Sequence, residues 1–274
     1  MKSLPLNAET SIPILGFGVW QLRDDECVQS VLKALEVGFR HIDTADRYGN
    51  HAQVAQAIKE SGIDRNELFI TTKVPPTDIQ KETLIADAKR YLEELQMDYV
   101  DLLLIHWPNK DIPIQESLEA MQELKQQGLI KAIGVSNFTI RHLEEALATG
   151  IEVSNNQVEF HPSLNQKRLK EFCDQHEITI TAYSPIAQGQ DLELPLIQEL
   201  ATKYDRSPAQ VILNWLMAKN IVAIPRSSKP ERIEDSFKST EWELSPEDVQ
   251  RIDELNTDNR LVMPPHAEFS AEAE

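Results

Sequence analysis

Eight short apolar runs rich in β-branched residues recur along the chain, and amphipathic stretches with helical spacing lie between them. The runs cover residues 14–17, 39–43, 68–73, 100–106, 130–136, 154–159, 178–184 and 221–225. Stretches such as CVQSVLKALEVG, LIADAKRYLEELQ and SLEAMQELKQQG keep charge on one face, and several close on a glycine (Gly38, Gly62, Gly128, Gly150). Near-continuous apolar strands suit a parallel sheet covered on both faces. A glycine just past a helical pattern suits a left-handed C-terminal cap. The repeat of roughly 30 residues matches one strand–helix–strand unit. Eight such units predict a (β/α)₈ barrel over residues 1–274 as a single domain. No GxGxxG follows the first run, which argues against a dinucleotide-binding open sheet. Two additions are expected outside the repeat. One is a short hairpin within residues 3–13, turning around residues 8–11. The other is a helix over residues 245–255, with Ser245 as N-cap and Pro246 in the first turn.

Composition narrows the function. Acidic residues outnumber basic ones, 45 to 27, for a net charge of −18. That balance disfavours nucleic acid and anionic membranes, which need a basic footprint. No apolar run reaches the roughly 18 residues of a membrane span, and the opening MKSLPLNAET has no apolar stretch of the signal-peptide kind. Cys27 and Cys173 stand far apart, with no CxxC and no Cys/His cluster. A reducing cytoplasm is therefore expected, with neither a disulfide framework nor a metal site.

Four polar residues occupy strand ends or the loops just beyond them: Asp43, Tyr48, Lys73 and His106. In a barrel of this kind the C-terminal strand ends form the active-site face. A tyrosine is a weak acid at neutral pH, and a nearby ammonium is expected to lower its pKa. Asp43 would hold Lys73, Lys73 would tune Tyr48, and a neutral His106 would orient a carbonyl. That set suits carbonyl reduction, with Tyr48 delivering a proton to the developing alkoxide. Taken singly, each residue has a plainer reading: Asp43 as a turn cap, Lys73 as a solvated charge, His106 as a strand terminator.

Together these segments resemble the aldo-keto reductases over nearly the whole chain. GFRHIDTADRYGN, LFITTKV, DLLLIHWP, IGVSNF, NQVEFHP, AYSPIAQG and IPRSSKPERIEDS stand in that family's order and spacing. Within it the chain looks most like the small bacterial enzymes of the 2,5-diketo-D-gluconate reductase B type. The resemblance implies catalytic roles for Asp43, Tyr48, Lys73 and His106. It implies that Ser136, Asn137 and Gln157 bind a nicotinamide carboxamide, that Tyr183 stacks on the ring, and that Ser184 opens the loop (184–189) over the pyrophosphate. Read locally, Ser136-Asn137 is equally a helix N-cap and Tyr183 an ordinary aromatic. Trp20, Tyr48, His106 and Trp107 would line the substrate pocket.

After the eighth strand, Arg226, Lys229 and Arg232 gather charge beside Ser227 and Ser228, just before a short helix. Such donors suit a 2′-phosphate, so NADPH is the expected cofactor. The plainer reading is a solvated turn. Against the family pattern, His51 stands for Glu, Val19 for Thr and Arg226 for Lys. Asp235-Ser236 stand where Glu-Asn contact adenine, and Pro75-Pro76 replace a bulky pocket-wall residue. The connection after Pro108 and the tail after Leu261 are short, which predicts an open pocket for aldehydes and α-dicarbonyls such as methylglyoxal, and for keto-sugar acids. A monomer is expected. The competing readings are a non-catalytic NADPH-binding barrel with a redox-sensing or structural role, and an unrelated barrel hydrolase or isomerase.

Overall fold

The computed structural model describes residues 2–265 together with Ala267 and Phe269. Strands β1 (Ser3–Pro5) and β2 (Ser11–Pro13) pair antiparallel as a hairpin. The chain then alternates through β3 (Phe17–Gly18), α1 (Asp24–Val37), β4 (His41–Asp43), α2 (His51–Ser61), β5 (Phe69–Val74), α3 (Lys81–Leu95), β6 (Val100–Ile105) and α4 (Ile114–Gln126). It continues through β7 (Ile130–Ser136), α5 (Ile140–Leu147), β8 (Asn155–Glu159), α6 (Lys167–Gln175), β9 (Thr179–Tyr183), α7 (Pro195–Tyr204) and α8 (Pro208–Ala218). It ends with β10 (Val222–Ala223), α9 (Pro230–Phe237) and α10 (Pro246–Asp253).

Strands β3 to β10 form one parallel sheet in sequence order. The sheet closes on itself: the Gly16 N–H donates to Ala223 O at 2.8 Å, and the Ala223 N–H to Ile14 O at 3.0 Å. The fold is thus a (β/α)₈ barrel capped at its floor by the hairpin. The first and last strands are shorter than their apolar runs predict; they meet through an isolated bridge between Leu15 and Ala223 and a bond from the Gly18 N–H to Pro225 O at 3.0 Å. Helix α7 is a third addition to the repeat. The left-handed Asp205 ends it, and Ser207 with Pro208 caps and opens α8.

The strands are buried on both faces, as their uninterrupted apolar runs require. Gly16 admits the ring of His41 at the closure; a Cβ there would lie 2.3 Å from Nδ1. Gly38 ends α1 at φ 118°, where its N–H reaches Leu35 O. Gly62, Gly128 and Gly150 also take the left-handed conformation. Ser245 caps α10 by accepting from Asp248 N–H. Cys27 and Cys173 are buried thiols. Among the described residues no helix is long and apolar enough to cross a membrane.

Candidate active site

Parallel register brings the C-terminal ends of β4, β5, β7, β8 and β9 to one mouth. Asp43 closes β4, Lys73 is the penultimate residue of β5, and both are buried. The Lys73 ammonium donates to Asp43 Oδ1 at 2.5 Å and to Thr44 O at 2.8 Å, and stands 3.5 Å from the Tyr48 hydroxyl. Tyr48 ends a single 3₁₀ turn (Asp46–Tyr48), and the Gly49 αL residue stops it. The His106 ring meets the Tyr48 ring edge-on, with centroids 5.8 Å apart. The four strand-end residues are therefore one cluster.

Burial sets the electrostatics. Burial, and then the Asp43 carboxylate, push the Tyr48 hydroxyl well above its ordinary value. This reverses the expected lowering by Lys73: at 3.5 Å the ammonium does not offset the loss of water around the phenolate. Lys73 itself is held below its ordinary value by burial, which Asp43 only partly opposes. At rest Tyr48 is thus a protonated hydroxyl beside a tightly paired cation.

The residues expected around a nicotinamide interlock. Gln157 donates to Asp43 Oδ2 at 2.7 Å, so Asp43 bridges Lys73 and Gln157. Ser136 Oγ donates to Gln157 O at 2.8 Å. Asn137, at φ 63°, donates to His106 O and Ser136 Oγ and accepts from the Tyr183 hydroxyl at 2.8 Å. Ser136 and Asn137 do not cap α5. Thr139 does, in a reciprocal box with His142. That leaves the left-handed Asn137 as a backbone turn into the site. Beyond β9, Ser184 (φ 46°), Ala187 (φ 49°), Gln188 (φ 53°) and Gly189 (φ 100°) are all left-handed. Side-chain-bearing residues held there cost of order 1 kcal/mol or more each, and such strain clusters at ligand-binding loops.

After β10, Arg226, Lys229 and Arg232 are exposed and Ser227 and Ser228 half-buried. The Arg226 guanidinium donates to Trp20 O at 3.0 Å, and Ser227 Oγ accepts from Lys229 N–H at 3.1 Å. Among the described residues none of these three cations meets a carboxylate, in a chain with a net charge of −18. A basic cluster without internal counter-ions fits a phosphate group. Asp235 does not face that cluster: it accepts from Ser207 Oγ and from Gln210 Nε2, at the start of α8.

Trp20 is 50% exposed at the rim, while Trp107 is buried. The tail does not leave the mouth bare, as its length suggested. Phe269 lies against Trp107 with ring centroids 5.7 Å apart. Pro75 and Pro76 are buried beside β5, and Asn109 fixes Pro76 O at 2.8 Å.

The sequence reading missed three supports of this cluster. Asn50 donates to Val19 O and Leu22 O and accepts from Thr44 Oγ1, tying the Tyr48 loop to the Trp20 loop. Arg90 on α3 pairs with Asp46, which opens the Tyr48 turn. His51 bridges Thr72 Oγ1 and Glu94, both at 2.8 Å. Each is a long-range contact, and only Asn50 lay inside a motif.

The sequence profile of the aldo/keto reductase family matches residues 14–257. The chain belongs to that family. It is 43% identical over 258 residues to methylglyoxal reductase DkgB of Escherichia coli O157:H7, covering 93% of this chain and 97% of that protein. It is 44% identical over 261 residues to glyoxal reductase of Bacillus subtilis strain 168, covering 94% of each. A crystal structure of a putative 2,5-diketo-D-gluconic acid reductase B superposes with a TM-score of 0.91 at 35% identity, covering 93% of this chain and 92% of that one. The aldo/keto reductase described here is thus an oxidoreductase, and carbonyl reduction is the activity of its named relatives. Enzymes of this family use nicotinamide cofactors.

Proposed function

We propose that this aldo/keto reductase reduces aldehydes and α-dicarbonyls such as methylglyoxal, with keto-sugar acids as further substrates, at the expense of NADPH. The observation that carries the reading is the buried Lys73–Asp43 pair ending at the Tyr48 hydroxyl. Tyr48 is the general acid. Its raised pKa keeps the proton on Oη until charge develops on the carbonyl oxygen; transfer then leaves a phenolate beside the Lys73 ammonium. Asp43 keeps Lys73 charged and in place, and His106 orients the carbonyl against Tyr48. Trp20 and Trp107 flank the pocket.

A bound nicotinamide supplies the hydride. Ser136, Asn137 and Gln157 would hold its carboxamide and Tyr183 its ring, with the left-handed loop from Ser184 lying over the pyrophosphate. Arg226, Ser227, Ser228, Lys229 and Arg232 would take the 2′-phosphate, as charge-assisted bonds to phosphate favour. Residues 1–274 act as one domain, as a cytoplasmic monomer.

The test is NADPH oxidation with methylglyoxal. Tyr48→Phe should lower kcat by about 10²–10⁴-fold, the usual range for a lost general acid, with NADPH affinity unchanged. A variant as active as wild type removes Tyr48 from this role. NADPH should exceed NADH in kcat/KM, and Arg226→Ala should narrow the ratio by about tenfold. Equal use of the two cofactors by the unaltered enzyme would remove the phosphate from the reading.

A further inference from the structure

Across the mouth from Tyr48 lies a second buried polar cluster that the proposed chemistry does not use. Glu159, the last residue of β8, is fully buried. Its Oε1 accepts from His161 Nε2 at 3.0 Å and from the Leu261 N–H at 2.8 Å, and its Oε2 from the Val262 N–H at 2.9 Å. On its other side His161 meets Asp191 Oδ2 at 3.1 Å. Asp191 also accepts from Ser163 N–H at 2.9 Å and Ser163 Oγ at 2.7 Å. Ser163 O in turn accepts from the N–H groups of Thr257 and Asn259.

Three segments far apart in sequence therefore meet on two carboxylates and one imidazole: the strand end, the 3₁₀ segment (Ala187–Glu193) that continues the left-handed loop, and the C-terminal tail. Buried charge of this kind is weak evidence of added stability, because desolvation offsets most of the attraction. What it does fix is geometry, since each partner left alone would be a buried, unsatisfied charge. The Arg260 guanidinium stacks 3.9 Å over Phe269, and Phe269 lies against Trp107.

We infer that Glu159 is a positioning residue for substrate size: with His161 and Asp191 it clasps residues 257–262 and so sets Phe269 as an aromatic wall on Trp107. This rests on the carbonyl-reduction reading above. Glu159 need touch neither substrate nor cofactor. A small dicarbonyl at Tyr48 and His106 would not reach Phe269, whereas an aryl aldehyde would. Because Asp191 belongs to the segment that follows the cofactor loop, the clasp also joins that loop to the tail.

Two variants of the full-length enzyme test the clasp. Glu159→Gln keeps the side-chain volume but removes the charge and one acceptor. Val262→Pro deletes one tail donor without touching the barrel, so a result remains even where Glu159→Gln fails to fold. In both, trypsin should cut after Arg260 about tenfold faster than in wild type, read by mass spectrometry. KM for para-nitrobenzaldehyde should rise by about five- to tenfold at unchanged kcat, while kcat/KM for methylglyoxal moves by less than about twofold. Phe269→Ala should repeat the kinetic split. Cleavage at the wild-type rate in both clasp variants overturns the proposal, as does an equal loss for both substrates. The cleavage assay needs no turnover, so a protein that reduces no carbonyl would sink the functional reading while still judging the clasp.

Discussion

On one side of the barrel mouth, Asp43 and Lys73 form a 2.5 Å pair whose free edge ends at the Tyr48 hydroxyl, 3.5 Å away and half-buried. On the other side, Glu159, His161 and Asp191 are sealed from solvent, and both carboxylates are surrounded by donors at 2.7–3.1 Å. Both clusters stand at strand ends, and both bury more carboxylate than a core tolerates unpaired. They differ in slack. The first leaves a protonated hydroxyl at a long distance from its cation, so proton transfer can tighten that contact. The second has no comparable slack and holds backbone. Reserve hydrogen-bonding capacity marks the side proposed to do chemistry, and full satisfaction marks the side proposed to set shape.

The largest effects should come from removing the cation of each cluster. Lys73→Met and His161→Leu each leave buried carboxylate uncompensated, and each should cost about 3–5 kcal/mol in denaturant unfolding. Only Lys73→Met should also abolish turnover of methylglyoxal. Similar activity losses in the two variants would break the distinction.

The pH dependence of stability sharpens it next. Burial pulls His161 down, but its bonds to Asp191 and Glu159 outweigh this and leave it above the ordinary imidazole value. The stability it contributes is therefore fully present below the ordinary value of 6.5 and is lost as pH rises through the raised one. Glu159 and Asp191 are held below 4.5 and 3.8 despite burial, chiefly by their bonds to His161. Their contribution is present above those values and is lost in acid. The clasp should thus be firmest between 4.5 and 6.5. The wild-type Tm should fall more than that of His161→Leu when pH is raised from that window to about 9. Parallel Tm curves would remove the charged clasp.

The smallest effect concerns the boundary between site and scaffold. Thr139→Ala should cost about 1 kcal/mol by uncapping α5, with cofactor affinity unchanged. A matching loss of cofactor affinity would mean that the cap and the Ser136-Asn137 turn act together.

Much of the first cluster was legible. Asp43, Lys73 and His106 each follow an apolar strand run, and parallel strands in sequence order must deliver their C-terminal ends to one face. Tyr48 follows within one short turn. What misled was direction: Lys73 was read as lowering the Tyr48 pKa, because a sequence shows which charges are near but not how much water is lost. The plainer reading of Ser136-Asn137 as an N-cap falls away, because the cap lies at Thr139. None of the second cluster was assigned a role. Glu159 and His161 sit inside NQVEFHP, yet their partners are Asp191 and the backbone of Leu261 and Val262, and the Glu159–Leu261 bond spans 102 residues.

The strand–helix period determined the barrel and its candidate active-site face, because burial on both sides of a parallel strand leaves a local, repeating signature. It also determined which strand-end residues would be neighbours, since sequence order and sheet order coincide here. Tertiary structure alone decided the direction in which the Tyr48 pKa moves, the use of Asp43 as a bridge between Lys73 and Gln157, and the contact of Phe269 with Trp107. Those outcomes depend on desolvation and on contacts between distant segments. Neither leaves a periodic trace in the chain.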